Sequence, residues 1–204
     1  PGQRFPGVLS WGASLAGISS LAAAASAMAI RKSVEEMART FIAGQNPAEA
    51  LQQVEAARKA GMAFTLDLLG EAIVSEAEAD AYYGKYLEIL ETMARAEPGW
   101  KPDTRLDQGP RGPLPRVNLS VKLSALYSQI DPIDPQDSIA GVQRRLIPLL
   151  RQAKARQAFV NLDMEDYRLK DLTLALFKEV AGQAEFRDWA GLGLVIQAYL
   201  KDSL

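Results

Sequence analysis

The chain has 204 residues, 48% apolar and 24% charged, a composition typical of a globular protein with a sizeable core. Its net charge is −2 and no run of Lys or Arg exceeds two residues, so it lacks the basic surface that nucleic acid binding requires. The absence of Cys and His excludes disulfides, thiolate or imidazole catalysis and the usual zinc ligands. Chemistry in this chain must therefore come from carboxylates, Lys, Arg, Tyr or a bound cofactor.

The first notable segment, residues 5–30, carries no charged side chain and is rich in Ala, Ser and Gly. Two interpretations are open: a buried or interdomain helix, and an export signal or membrane anchor. The five serines of the segment would weaken insertion into hydrocarbon, which favours the first interpretation.

Two helices are predicted before the first strand. Ser33 opens a capping box, and Gly44 would end that helix. Asn46-Pro47 predicts the N-cap and first residue of a second helix, which Gly61 would end. We therefore expect an N-terminal helical segment over residues 1–62.

Strand and helix patterns alternate in the rest of the chain. The predicted strands are residues 63–69, 117–123, 158–164 and 191–200, and the predicted helices between them are 75–97, 140–155 and 169–181. The order β-α-β-α-β-α-β with apolar strands indicates a parallel sheet covered by helices, either an open doubly wound sheet or part of a (β/α)8 barrel. No G-x-G-x-x-G follows any strand, so a dinucleotide-binding open sheet has no support.

Two connections in this pattern are distinctive. Residues 97–116 contain five prolines and three glycines, too many for regular structure. Residues 131–137, DPIDPQD, lack the spaced ligands of an EF-hand, so we expect no metal there and predict that Asp137 or Ser138 caps the next helix.

Polar residues occur near the C-terminal ends of three predicted strands. They are Lys122, Asp163 and Gln197. In a parallel barrel such side chains face the ligand. Each also has an ordinary role open to it: Lys122 at the surface, Asp163 as a helix cap and Gln197 as a partner of backbone groups. Their coincidence on three successive strands favours a shared site.

Four segments of these strands resemble motifs of the proline dehydrogenase family, in that family's order. They are DLLGEA at 67–72, LSVKLSALY at 119–127, NLDMED at 161–166 and GLVIQAYLKDS at 193–203. The resemblance covers about residues 31–204. It implies an FAD-dependent enzyme on a (β/α)8 TIM-type barrel that oxidises L-proline to Δ1-pyrroline-5-carboxylate and passes electrons to a membrane quinone. On this basis residues 63–204 would form the first half of the barrel, truncated after strand four.

The resemblance also implies roles for individual residues. Lys122 would pair with the carboxylate of proline, and Asp163 would hold an arginine that also grips the substrate. Met164 and Val195 would pack against the flavin, and Gln197 would hydrogen-bond to its isoalloxazine ring. In VNLDMED, residues 160–166, the last two carboxylates would instead begin the following loop and helix.

The same resemblance sets expectations for partners and completeness. Bifunctional relatives link a pyrroline-5-carboxylate dehydrogenase domain, and the expected location is the cytoplasm, with peripheral association at the inner membrane as a further expectation. Strands five to eight would supply the Arg and Lys that contact flavin and an arginine pair that clamps the substrate. The alternative is a non-catalytic barrel fragment that acts only by association with another chain, because its outer strands would lack neighbours.

Overall fold

The computed structural model describes residues 20–38, 42–70, 73–201 and 203, and the chain divides into two compact units with the boundary between Gln53 and Val54. Helix α1 spans Ser20–Ala38 in the first unit. The predicted helix start at Ser33 is wrong, because the Ala-rich residues before it are strong helix formers and continue the same helix.

Residues 5–19 of the uncharged segment lie outside the described residues. Among the described helices, none combines the length and apolar character needed to cross a bilayer.

Helix α2, Pro47–Lys59, begins and ends as predicted. Asn46 Oδ1 accepts a hydrogen bond from Glu49 N at 3.0 Å, and the Glu49 carboxylate accepts one from Gln45 N at 2.9 Å. Pro47 occupies the first helical position, where its missing N–H removes no helical hydrogen bond. Gly61 has φ 76°, the left-handed conformation that commonly follows a helix.

The second unit is built around a parallel four-stranded sheet. Its elements are β1 (Leu66–Asp67), α3 (Glu76–Ala96), α4 (Thr104–Asp107), the hairpin strands β2 (Gln108–Gly109) and β3 (Gly112–Pro113), β4 (Asn118–Val121), α5 (Pro135–Ala155), β5 (Phe159–Leu162), α6 (Lys170–Gly182) and β6 (Leu192–Leu194). The strand order is β1-β4-β5-β6 with every pair parallel, which confirms the predicted alternation of strands and helices. The strands are shorter than predicted; β1 and β6 each pair on one side only among the described residues.

The Pro- and Gly-rich loop contains more order than its composition predicts. It includes α4 and the short β2–β3 hairpin. Asp107, 7% exposed, organises the loop: its carboxylate accepts from Arg58 at 2.8 Å and from Asp103 N at 2.9 Å, and pairs with Arg116 at 3.0 Å. A buried carboxylate needs such partners. The buried ring of Trp100, which packs against Phe64, also holds the loop.

The start of α5 differs from the prediction. Asp134 is the N-cap, with its Oδ1 accepting from Asp137 N at 3.1 Å, and Pro135 is the first helical residue. Capping by Asp137 or Ser138 is therefore wrong. Ser138 Oγ instead accepts from Asp131 N at 2.8 Å and donates to Asp131 O at 2.9 Å. An Asp-Pro pair provides the preferred cap and first residue together, which explains the earlier start.

Arg145 of α5 connects this helix to the start of α3 and to the loop after β4. One terminal nitrogen donates to Glu76 Oε2 and to Leu126 O, both at 2.8 Å, and Nε donates to Asp80 at 2.8 Å. Glu76 Oε1 also accepts from Ser128 N at 3.0 Å and from Ser128 Oγ at 2.8 Å. Burial alone would raise the pKa of Glu76, but these hydrogen bonds and the Arg145 charge outweigh it and lower the pKa to about 2.

Candidate active site

One face of the sheet carries polar side chains toward its C-terminal edge. The strand register pairs Asp67 with Ser120, and Ser120 with Asn161. Because side chains alternate between faces along a strand, these three residues share a face. The neighbouring rows, which include Leu119 and Val160, are apolar and buried, so they form core on the opposite face.

A second row, with two charged side chains, follows two residues further along. Asp163 N donates to the carbonyl of Val121 at 2.9 Å, and Val195 N donates to the carbonyl of Leu162 at 3.0 Å. These bonds continue the parallel ladder and place Lys122, Asp163 and Val195 in one row on the same face as the first polar row. Gln197 lies two residues beyond this row.

Lys122, itself buried, makes an ion pair with Asp67. Its Nζ lies 2.8 and 2.7 Å from the two carboxylate oxygens of Asp67, and 3.5 Å from Leu68 O. The side chains of Lys122 and Asp67 are 10% and 34% exposed, so Lys122 is not a surface lysine. Sequence reasoning quoted Asp67 within DLLGEA without assigning it a role. The available signal was a carboxylate that ends an apolar strand, where a buried charge requires a partner.

Asp163 and its neighbour Met164 lie immediately after β5. Asp163 is half-buried and its Oδ1 accepts from Met164 N at 2.9 Å. The cap of the following 3-10 turn, Tyr167–Leu169, is Asp166, whose Oδ1 accepts from Arg168 N at 2.9 Å. The ordinary role of helix cap therefore belongs to Asp166, and Asp163 keeps its place in the polar row.

Glu165 ties the loop after β5 to the loop after β4. Its carboxylate accepts from Ser124 N at 3.1 Å and also from Ser124 Oγ. Ser124 is two residues beyond Lys122, and Glu165 is two beyond Asp163. The bond therefore links the chain segments that follow these two residues.

Gln197 lies beside a cavity of about 210 Å³. Its Nε2 is 3.5 Å from Met164 O, and its Oε1 is buried without a hydrogen-bond partner among the described residues. A buried acceptor without a donor is costly, so a ligand that donates there would be stabilised. Among the described residues, the cavity is lined by Met164, Lys170, Leu174, Ile196, Gln197, Leu200 and Ser203.

Not all of the motif residues can be placed. Glu71 and Ala72 of DLLGEA, and Asp202 of the last motif, lie outside the described residues. For the others, the structure brings Lys122, Asp163 and Val195 into one row, and it brings Met164 and Gln197 together at the cavity.

Comparisons with known proteins all indicate the same family. The proline dehydrogenase family profile matches residues 50–204. The chain is 30% identical over 174 residues to "Proline dehydrogenase" of Deinococcus radiodurans, covering 85% of this chain and 48% of that protein. It is 29% identical over 176 residues to "Bifunctional protein PutA" of Klebsiella aerogenes, covering 84% of this chain and 13% of that protein.

A solved structure gives the same result. Proline utilization A from Bdellovibrio bacteriovorus, inactivated by N-propargylglycine, superimposes with a TM-score of 0.83 at 44% identity. The match covers 87% of this chain and 19% of that protein. The chain thus spans less than half the length of each of these three relatives.

Proposed function

The chain belongs to the proline dehydrogenase family, and from this premise we propose that the protein it represents oxidises L-proline to Δ1-pyrroline-5-carboxylate. The observation that carries the proposal is the ion pair of the buried Lys122 with Asp67, which lies on the same face as Asp163 at the C-terminal edge of the sheet. This edge is where parallel α/β folds bind their substrates.

The substrate would be recognised through its charges. Proline carries a carboxylate and a secondary ammonium, and the compact, strongly hydrated ammonium of Lys122 suits the carboxylate. Asp67 would hold the Lys122 ammonium in place before the substrate binds. Asp163 would hold an arginine, supplied from outside this chain, against the same carboxylate. Catalysis would then depend mainly on orientation of the ring carbon next to nitrogen.

We propose FAD as the cofactor, held in this chain by Met164, Val195 and Gln197. The fit rests on the buried Gln197 Oε1, an acceptor without a donor among the described residues, next to the apolar side chain of Met164. A flavin ring offers both N–H donors and an apolar surface. When bound, it would supply the two-electron oxidation and pass the electrons to a membrane quinone. The residues of the chain would orient the ring and keep water from it.

The proposed architecture is a (β/α)8 barrel of which β1, β4, β5 and β6 are the first four strands. Residues 1–62 would be an N-terminal helical segment and residues 63–204 the first half of the barrel. This proposal is supported by the parallel strand order and by the fraction of each relative that the chain covers. The remaining strands would come from a longer polypeptide, which would include a pyrroline-5-carboxylate dehydrogenase domain if it is bifunctional. We further propose a cytoplasmic protein that reaches the quinone by peripheral contact with the inner membrane.

The direct test is turnover by the full-length protein. Purified with bound flavin, it should reduce an artificial electron acceptor in the presence of L-proline and form the ring-closed imine product. D-proline is the matched control, because it has the same functional groups with the opposite configuration at the carbon that bears the carboxylate, so a site that grips this carboxylate would misplace the ring carbon to be oxidised. Flavin-replete protein that gives no product from L-proline would refute the proposed activity.

A further inference from the structure

Helix α3 places two tyrosines against the two strand ends that carry the Lys122–Asp67 ion pair. Tyr82 Oη donates to Leu69 O at 3.0 Å, and Tyr86 Oη accepts from Lys122 N at 3.3 Å. The tyrosines are one helical turn apart, so both point to the same side of α3. They are 8% and 1% exposed, so both phenols are buried.

Tyr82 acts on the chain that leaves β1. Leu69 O, which it binds, follows Leu68, whose own carbonyl lies 3.5 Å from Lys122 Nζ. The next residue, Gly70, has φ 87°, and a Cβ added there would lie 3.0 Å from Tyr82 Oη. The tyrosine therefore packs closely against the turn that immediately follows Asp67 and Leu68.

Tyr86 acts on the other partner of the ion pair. Its phenol oxygen accepts the backbone N–H of Lys122 itself, while the ammonium of the same residue is held by Asp67. The lysine is thus fixed at both ends of its side chain. A lysine side chain is a flexible four-carbon stem, so its ammonium can occupy many positions. Holding the backbone of Lys122 reduces the number of these positions.

We propose that Tyr82 and Tyr86 are positioning residues that hold Lys122 and Asp67 in the arrangement that binds the carboxylate of the substrate. The inference rests on the proposed function, since it assumes that Lys122 binds this carboxylate. The tyrosines would not touch the substrate; they act through the backbone at the ends of β1 and β4. Their phenol oxygens, rather than their rings alone, carry the effect.

The same helix supplies a matched control. Tyr83 lies between the two positioning residues in sequence and is half-buried, and its phenol makes no hydrogen bond among the described residues. A Tyr83→Phe variant therefore makes the same chemical change on the same helix without removing a bond to either strand end.

The first experiment uses full-length, flavin-loaded protein with Tyr86→Phe, Tyr82→Phe and Tyr83→Phe. Calorimetry measures the Kd of tetrahydrofuran-2-carboxylate, which keeps the ring and carboxylate of proline but has no amine to oxidise. Loss of one buried hydrogen bond should raise this Kd and the KM for L-proline roughly three- to tenfold in Tyr86→Phe and Tyr82→Phe, with kcat changed less than about twofold. Tyr83→Phe should match the wild type. Equal Kd values in all three variants and the wild type would overturn the inference.

The second experiment separates positioning from general loosening of the fold. Tyr86→Phe is combined with Lys122→Met, which keeps an apolar stem and removes the ammonium. If Tyr86 acts through Lys122, the added Tyr86→Phe change should leave the Kd of the double variant within about twofold of Lys122→Met alone. An equal increase in Kd in both backgrounds would show a merely structural role and overturn the inference.

The same variants separate the substrate-binding role proposed for Lys122 from the positioning role proposed for Tyr82 and Tyr86. If Lys122→Met binds the carboxylate as well as the wild type does, the role proposed for Lys122 fails, and the positioning role fails with it. If Lys122→Met binds weakly while Tyr86→Phe and Tyr82→Phe bind normally, only the positioning role fails.

Discussion

Lys122 holds its ammonium against both carboxylate oxygens of Asp67, with Leu68 O as a third contact. The pair joins residues 55 positions apart in the sequence. Sequence reasoning selected Lys122 and Asp163 because each ends an apolar strand, which is a local pattern. It gave Asp67 no role although Asp67 also ends an apolar strand, because the pairing of β1 with β4 that brings the two charges together is a tertiary contact.

For this residue we predict how Lys122→Ala changes catalysis by the full-length enzyme. The change removes the proposed partner of the proline carboxylate, a charge-assisted hydrogen bond that contributes about 1.5 to 3 kcal/mol. The value of kcat/KM for L-proline should therefore fall roughly ten- to a hundredfold, while flavin content persists. Steady-state kinetics on flavin-replete protein measures this.

Two further variants test whether the loss of activity is specific to Lys122. Lys101 is exposed, so Lys101→Ala should leave the kinetics unchanged. Gln197→Ala should mainly alter the flavin absorbance spectrum or reduction potential, because its amide is proposed to contact the ring. Unchanged proline kinetics in Lys122→Ala would remove the substrate-binding role from this residue.

The helices show which element boundaries can be predicted locally. The helix predicted over residues 75–97 begins where expected, because Ser75 caps it by accepting from Glu78 N. The cap predicted at Asn46-Pro47 is also correct. The start of α5 was placed too late because DPIDPQD offers several possible caps within a few residues. The start of α1 was missed because Ser33 has the spacing of a cap but the residues before it already favour a helix.

The contact between α3, α5 and the loop after β4 should depend on pH through Glu76. A carboxyl group whose pKa is lower in the folded state stabilises the fold above its unfolded pKa, here 4.5, and that stabilisation is lost as pH falls toward about 2. The Glu76 side chain is 43% exposed, so solvent screening reduces its contribution to the free energy of unfolding to about 1 kcal/mol. Glu76→Gln should therefore lower the free energy of unfolding near neutral pH and flatten its dependence on pH below about 5.

Urea unfolding of the full-length protein across this pH range measures that prediction. Glu88 lies on the exposed side of α3, and its side chain makes no ion pair or hydrogen bond among the described residues. Glu88→Gln should therefore retain the pH dependence of the wild type. Parallel pH profiles for Glu76→Gln and Glu88→Gln would contradict the role of the Arg145–Glu76 contact.

At the scale of the whole molecule, sequence reasoning predicted the parallel order of four strands because each strand and helix has its own hydrophobic period. It did not predict the order within residues 97–116, which depends on the buried Asp107 and its contacts with residues distant in sequence. Composition alone indicates an irregular loop, whereas the hydrogen bonds of Asp107 and the buried ring of Trp100 order it.

The proposed division of the flavin site between these residues and further strands of a longer polypeptide is tested most directly by the visible absorbance of bound flavin after anaerobic addition of L-proline. Full-length protein should purify with flavin and lose this absorbance when L-proline is added, because oxidation of the substrate reduces the flavin. The 204-residue chain alone should retain little or no flavin, since only Met164, Val195 and Gln197 are proposed to hold it here. Full-length protein whose flavin stays oxidised with L-proline, or an isolated chain with stoichiometric flavin that is bleached by L-proline, would contradict the account.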